Sequence, residues 1–158
     1  MRNRKGFSLI ELLIVVAIIL IIAAVAVPSF LRSRIAANES AAVASLRTLN
    51  TAEMSYDSAY PTVGYASTLT ALGGTNCTPP NSSSACLIDT ALATGQRSGY
   101  SFTLTNVSGT PSGTYNAMAA PIVWNYSGMR YFCSFEDAVI RVSLTAITTC
   151  DSTVPPQN

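Results

Sequence analysis

The chain has 158 residues and a formal net charge of +1, with 49% of its residues hydrophobic and only 11% charged. Nine basic residues against eight acidic ones are too few for a surface that tracks a phosphate backbone, so the charge predicts no nucleic-acid binding. The absence of histidine excludes Ser-His-Asp and Cys-His catalytic sites and histidine-bound zinc. The composition therefore argues against an enzyme, and we expect no cofactor and no metal.

The chain begins with a short basic segment followed by a long apolar run. Of the 21 residues in 7–27, 15 are Phe, Leu, Ile or Val, and only Ser8 and Glu11 are polar. As a helix rising about 1.5 Å per residue, this run spans roughly 31 Å, the thickness of the hydrocarbon core of a bilayer. It exceeds the apolar part of a secretory signal peptide, which has about 7–15 residues. The run predicts a transmembrane helix, with a cleaved signal peptide or a plain signal anchor as alternatives.

Glu11 is the one ionisable residue of this run. The apolar residues favour insertion by roughly 5–9 kcal/mol, and an acidic residue at mid-membrane costs about 2.5–3.5 kcal/mol, so the segment still inserts. An ionisable side chain in a membrane helix is a candidate functional residue that needs a partner. The alternative is a carboxylate that extends to the membrane surface.

The residues around Glu11 form a recognisable motif, Lys5-Gly6-Phe7-Ser8-Leu9-Ile10-Glu11-Leu12-Leu13. It resembles the cleavage and methylation signal of type IV pilins and related pseudopilins. The resemblance implies that a prepilin peptidase removes the leader 1–6 by cutting between Gly6 and Phe7, that Phe7 is then N-methylated, and that Glu11 acts in subunit assembly. Cleavage places an α-ammonium on Phe7, one helical turn from the Glu11 carboxylate. Pairing of these two charges between neighbouring subunits is our hypothesis.

Glycine and proline divide the chain in two. Residues 7–60 contain no glycine and one proline, Pro28, whereas residues 61–158 contain eight glycines and seven prolines. This contrast predicts one helix over 7–58, followed by strands and turns. Pro28 ends the transmembrane part of the helix, 7–28, and lacks a backbone donor, so it predicts a helix kink; the alternative is a proline that marks the membrane boundary.

The outer helix half, 29–58, is amphipathic and needs a sheet to cover its apolar stripe. Glu39 and Glu53 fall near this stripe, and we expect them at its edge as solvated charges. Arg32 and Arg34 directly follow the apolar run and predict either anchoring at the membrane surface or a charge contact with another subunit. The residues of the stripe are Leu31, Ile35, Ala42, Leu46, Leu49 and Tyr56.

Alternating apolar residues in the C-terminal part predict four antiparallel strands, near 100–105, 114–120, 129–134 and 139–144, with turns at 106–113 and 135–138. The fold class is therefore α+β, a long N-terminal helix packed on a four-stranded antiparallel sheet. The region 99–144 also resembles the final sheet of pilins, whereas 61–98 is a variable loop region and 145–158 a C-terminal tail. Together with the outer helix half, these regions form the predicted extracytoplasmic head, 29–158. The adjacent acids Glu136 and Asp137 favour a hairpin turn over a calcium site, which needs six to eight oxygens.

All four cysteines lie in the part of the chain beyond the helix, which indicates an oxidising compartment. Four cysteines allow three connectivities. We predict Cys77–Cys86, which closes a Pro-Pro-Asn-Ser loop, and Cys133–Cys150, which ties the tail to a strand. Each closure is worth about 3 kcal/mol by the chain-entropy argument. Zinc binding is a weaker alternative, because neither pair has the spacing of a structural site.

The resemblance implies a structural subunit that rests in the bacterial inner membrane as a precursor and then polymerises into a helical filament, a type IV pilus, on the cell surface. Its implied partners are copies of itself, the prepilin peptidase, an inner-membrane assembly platform with an ATPase motor, and an outer-membrane secretin. The alternatives are a type II secretion pseudopilin and a single-pass membrane-anchored binding module or enzyme. The sequence leaves open motility, adhesion, DNA uptake or electron transfer, and whether the subunit is major or minor.

Overall fold

The computed structural model describes residues 7–74 and 77–157. Its packing divides the chain into two units, one ending at Arg34 and one beginning at Ile35. The helix α1 (Leu9–Ala59) contributes to both. Gly6, the residue before the predicted cleavage point, lies outside the described residues.

The first unit contains the apolar half of α1. Within α1 lies a stretch long and apolar enough to cross a membrane, and none of residues 9–27 is buried inside the protein. The prediction of one continuous helix is confirmed, since α1 continues through Pro28, and its bounds are Leu9–Ala59 rather than 7–58.

The second unit combines the rest of α1 with two short helices and an antiparallel sheet. The sheet has five strands in the order β1-β2-β3-β4-β5, which confirms the α+β class and corrects the predicted count of four. The extra strand, β1, has only two residues, too few for an alternating pattern to reveal. The elements after α1 are α2 (Leu69–Leu72), α3 (Thr90–Ala93), β1 (Gln96–Arg97), β2 (Tyr100–Gly109), β3 (Ser112–Pro121), β4 (Tyr131–Phe135) and β5 (Arg141–Ser143).

The predicted turn at 106–113 is largely wrong. β2 continues to Gly109, and β3 begins at Ser112. Thr105 pairs with Asn116 and Ser108 with Thr114, so β2 advances three residues where β3 advances two. A β-bulge absorbs the extra residue, and it lets a polar stretch that reads as a turn remain in the sheet. The predicted turn after β4 is confirmed at Glu136 and Asp137.

The core lies between the second half of α1 and the sheet. The predicted stripe is confirmed from Ala42 onward, whereas Leu31 is 39% exposed. Asn50 adds a buried polar link: its amide nitrogen donates to Ser134 Oγ at 2.9 Å, and its amide oxygen accepts from the Tyr115 hydroxyl at 3.1 Å. The largest fully buried hydrophobic side chains are Leu46, Leu49, Tyr56, Leu72, Leu92, Tyr100, Tyr115 and Phe132.

Both predicted disulfides are confirmed. Cys77 is bonded to Cys86, with Cα atoms 5.8 Å apart, and Cys133 to Cys150, with Cα atoms 5.9 Å apart. The second bond brings the C-terminal tail beside β5. There the Val142 amide donates to the Pro155 carbonyl at 3.0 Å, and the Gln157 amide donates to the Ile140 carbonyl at 2.9 Å.

Candidate assembly site

Glu11 lies in the first turn of α1 and caps the start of this helix. One oxygen of its carboxylate accepts a hydrogen bond from the Ser8 backbone amide at 3.0 Å. The Ser8 carbonyl accepts from the amides of Glu11 and Leu12, at 3.1 and 3.3 Å. Ser8 is thus the N-cap residue, and Glu11, at the third helical position, makes the glutamate half of a capping box. The S-x-x-E spacing is a signal for this contact in the sequence, and the predictions above do not include it.

The capping contact gives Glu11 a function within its own subunit. A carboxylate in the first helical turn satisfies a backbone donor that the helix cannot pair and interacts favourably with the helix dipole. Phe7, which precedes the cap, is 83% exposed. The geometry therefore places the Glu11 carboxylate at the start of the helix, close in sequence to the exposed Phe7. The pairing of this carboxylate with an amine on Phe7 stays a prediction.

The helix beyond this cap presents its apolar side chains outward. From Leu9 to Val27 every large hydrophobic residue is exposed. A surface of this size needs lipid or protein to cover it. Pro28 lies inside α1, where it removes one backbone donor; the kink at this position stays a prediction.

In the second unit, Glu39 contradicts the expectation of a solvated edge charge. It is buried, and one of its oxygens accepts from the amides of Met129 and Arg130 at 2.9 and 3.2 Å. The other oxygen pairs with the Arg130 guanidinium at 2.7 Å. Three donors compensate the loss of water around the carboxylate. The amides of Met129 and Arg130 therefore donate to a side chain of α1 rather than to a neighbouring strand. β4 starts at Tyr131 rather than at the predicted residue 129.

Glu53 contradicts the same expectation. Its exposed fraction is 0%, and its Oε2 accepts from the Ala66 amide at 2.8 Å. Its Oε1 is buried without a partner among the described residues. Burial raises the pKa of Glu53 to about 7, although the bond from Ala66 acts in the opposite direction. Near neutral pH this carboxyl group is therefore partly protonated.

The turn between β4 and β5 is held by an ion pair. Asp137 lies 2.6 Å from the Arg141 guanidinium, and the Arg141 guanidinium also stacks over the Phe135 ring at 4.2 Å. Burial alone would raise the pKa of Asp137, but hydrogen bonds from Arg141 and Val139 outweigh it and lower that pKa. Within 7–74 and 77–157 no three His, Cys, Asp or Glu side chains come together as a metal site.

Comparison with known proteins bears on the N-terminal segment. Residues 1–27 match the family model of the prokaryotic N-terminal methylation motif. The chain therefore carries this methylation motif at its start. The motif includes Gly6, Phe7 and Glu11, the residues predicted from the sequence to serve cleavage, methylation and assembly.

Two curated relatives resemble part of this chain. One is the type IV wide pilus major component PilA4 of Thermus thermophilus, 59% identical over 46 residues, which are 29% of this chain and 35% of the relative. The other is the type IV major pilin protein PilA of Myxococcus xanthus, 51% identical over 55 residues, which are 35% of this chain and 24% of the relative. The chain thus matches about a third or less of the length of these relatives. No solved structure matches it.

Proposed function

We propose that this protein is the structural subunit of a type IV pilus and not an enzyme. The observation that supports the proposal most directly is the pilin signal at the start of a helix whose apolar residues 9–27 are all unburied. The partial likeness to two major pilins agrees with it. In the membrane, lipid covers this helix; in a filament, the helices of neighbouring copies replace the lipid.

The proposed maturation begins in the bacterial inner membrane. A prepilin peptidase cuts between Gly6 and Phe7, and the new α-amine of Phe7 is methylated. Removal of residues 1–6 deletes Arg2, Arg4 and Lys5 and changes the formal net charge from +1 to −2. An assembly platform driven by an ATPase then moves the subunit into the growing fibre, which leaves the cell through a secretin.

The proposed assembly contact joins the carboxylate of Glu11 to the Phe7 α-ammonium of a neighbouring copy. Both groups lie at the start of an apolar helix, where surrounding hydrocarbon makes an unpaired charge costly. The pair would fix the axial position of one subunit against the next. Glu11 already accepts from the Ser8 amide, and a carboxylate has acceptor capacity for both donors.

Two substitutions at Glu11 separate capping from charge pairing. Glu11→Gln keeps an oxygen that can accept from the Ser8 amide but removes the negative charge, whereas Glu11→Ala removes both. Breaking a buried ion pair costs about 3–5 kcal/mol, so both variants should lower fibre yield by roughly a hundredfold or more. Quantitative immunoblotting of sheared surface fibres measures the effect, and the membrane pool of cleaved protein is the control for insertion and processing.

The comparison of the two variants decides between the roles of Glu11. Normal fibres from Glu11→Gln together with none from Glu11→Ala would mean that the cap, and not the charge pair, serves assembly. Normal fibres from both would remove Glu11 from the assembly mechanism altogether.

A type II secretion pseudopilin would share the signal and the exposed helix. Electron micrographs of a deletion strain distinguish this rival. Loss of long surface fibres with secretion intact supports the pilus subunit, and loss of exoprotein secretion without loss of surface fibres supports the pseudopilin.

A further inference from the structure

The loop between β3 and β4 exposes a cluster of large apolar side chains. We call residues 122–129 the Trp124 loop. Trp124 is 57% exposed, and its apolar neighbours in the loop are each at least 41% exposed. Single exposed hydrophobic residues are normal on protein surfaces, but a contiguous cluster indicates an interaction site. The exposed members are Ile122, Val123, Trp124, Tyr126 and Met129.

Hydrogen bonds fix the backbone of the Trp124 loop. Ser127 Oγ accepts from the Val123 amide and donates to the Val123 carbonyl, both at 3.0 Å. The Asn125 amide donates to the Gly128 carbonyl at 2.9 Å. Asn38 of α1 donates to the Ser127 carbonyl at 2.8 Å. The loop is therefore ordered before any partner binds, which lowers the entropic cost of association.

Buried groups hold the C-terminal end of the loop. Gly128 packs on Tyr100 so closely that an added Cβ would lie 2.0 Å from the tyrosine hydroxyl oxygen. That hydroxyl donates to the Arg130 carbonyl at 2.8 Å, and Glu39 accepts from the Met129 amide. These contacts keep the apolar side chains of the loop facing outward.

The charges around the loop select the kind of partner. Residues 121–129 contain no charged residue, and the flanking Arg130 is paired with Glu39 at 2.7 Å. Peripheral binding to a lipid surface combines apolar side chains with basic residues that meet anionic headgroups. The Trp124 loop contains no basic residue, and the adjacent Arg130 is already paired. An uncharged protein surface matches the loop better. On this chain the apolar helix residues 12–27 form such a surface, exposed and free of charge.

We propose that the Trp124 loop binds a second copy of this chain in the filament. The inference rests on the proposed pilus function and extends it by naming a contact outside the N-terminal signal. Tryptophan and tyrosine are the residues most often responsible for binding energy at protein interfaces. A contact between the loop of one copy and a different surface of the next is heterologous, and repeated heterologous contacts that do not close into a ring generate a filament.

The fluorescence of Trp124 tests the proposal on the unmodified chain. The protein contains one tryptophan, so its emission reports on this loop alone. In purified fibres we expect a blue-shifted emission and several-fold weaker iodide quenching than in the full-length protein in detergent. Iodide quenching of equal strength in both would overturn the contact.

The same probe distinguishes the two kinds of partner. In vesicles of zwitterionic and anionic lipids that include brominated chains, we expect Trp124 of the unassembled protein to escape quenching by bromine. Strong bromine quenching in vesicles, with no protection from iodide in fibres, would identify the lipid surface as the partner and overturn the proposal. If the unmodified chain forms no fibre at all, the proposed function fails and the contact fails with it.

A pair of variants tests the energetic weight of the loop. Trp124→Ala should lower fibre yield by roughly tenfold or more, since aromatic side chains dominate interface energies. Leu144→Ala removes another exposed side chain of the head, 72% exposed, and should leave the yield unchanged. Both variants should reach the wild-type level in membranes. Equal yields from the two variants would contradict the proposal.

Discussion

At the scale of single residues, Glu53 shows how a charged side chain is accommodated in the core. Its carboxyl group accepts one hydrogen bond, from the Ala66 amide, and has a second buried oxygen for which the described residues provide no partner. Glu39, in contrast, accepts three hydrogen bonds from Met129 and Arg130. The two glutamates therefore differ in the number of donors that replace water. Burial raises the pKa of Glu53 to about 7.

The raised pKa of Glu53 predicts that acidification stabilises the head. The folded state binds this proton more tightly than the unfolded state, whose pKa is near 4.5. The contribution of Glu53 to stability is therefore complete below about pH 4.5 and is lost as the pH rises through about 7, a change of about 3 kcal/mol. Glu53→Gln mimics the neutral form and should abolish this part of the pH dependence, so that the variant gains stability over the wild type between pH 5 and 8.

Denaturant unfolding of the detergent-solubilised protein at several pH values measures this difference. Glu136→Gln, which removes an exposed acid from a turn, is the matched control and should follow the wild-type pH dependence. A constant stability difference between Glu53→Gln and the wild type at every pH would contradict the assignment.

Both glutamates also show what the sequence could reveal at residue scale. Positions 39, 42, 46, 49, 53 and 56 follow one another at spacings of three and four, so the helical period places both acids on the buried face of α1. The pattern was present, and the expectation of solvated charges followed from the usual exposure of Glu. What the sequence could not reveal was the set of partners of Glu39, because Arg130 and Met129 lie about ninety positions away.

At the scale of elements, α1 and most of the sheet follow from local signals. The absence of glycine and the single proline in residues 7–60 predict α1, and alternation predicts the cores of β2, β3, β4 and β5. The bulge in β2 and the two-residue β1 depend on pairing with neighbouring strands, which no local pattern encodes. The capping side chains of Thr68 and Asp89, which begin α2 and α3, are local helix signals within the region 61–98, which is predicted as loop.

The disulfide Cys133–Cys150 belongs to this scale because it joins the tail to β4. The tail also pairs with this region through Pro155 and Gln157, but a single hydrogen bond contributes only about 1 kcal/mol. Replacing both cysteines by serine should therefore release residues after 145 to proteases while the rest of the head stays folded. Limited proteolysis followed by mass spectrometry identifies the cleavage sites.

The control for this experiment is the double serine variant at Cys77 and Cys86. Because that disulfide closes a different loop, its loss should expose residues 77–86 and leave the tail protected. A tail that stays resistant without Cys133–Cys150, or cleavage at the same sites in both variants, would contradict the assigned role.

At the scale of the whole molecule, the chain combines a unit whose apolar surface is exposed with a unit that has a buried core. The first unit offers an apolar helix with no buried residue in 9–27, and the second contains the buried core and both disulfides. The composition of the sequence predicted this division, since apolar residues without charge require lipid or protein contact. The proposed contacts of the exposed surfaces involve other molecules, so the sequence of one chain predicts their chemistry but not their geometry.

The intact mass of the protein in purified surface fibres tests the central claim most directly. We predict a chain that begins at Phe7, carries one added methyl group and has lost four hydrogens to its two disulfides. Tandem fragmentation should place the methyl group on the Phe7 amine. A protein recovered only as an unassembled chain that still begins at Met1 would contradict the account.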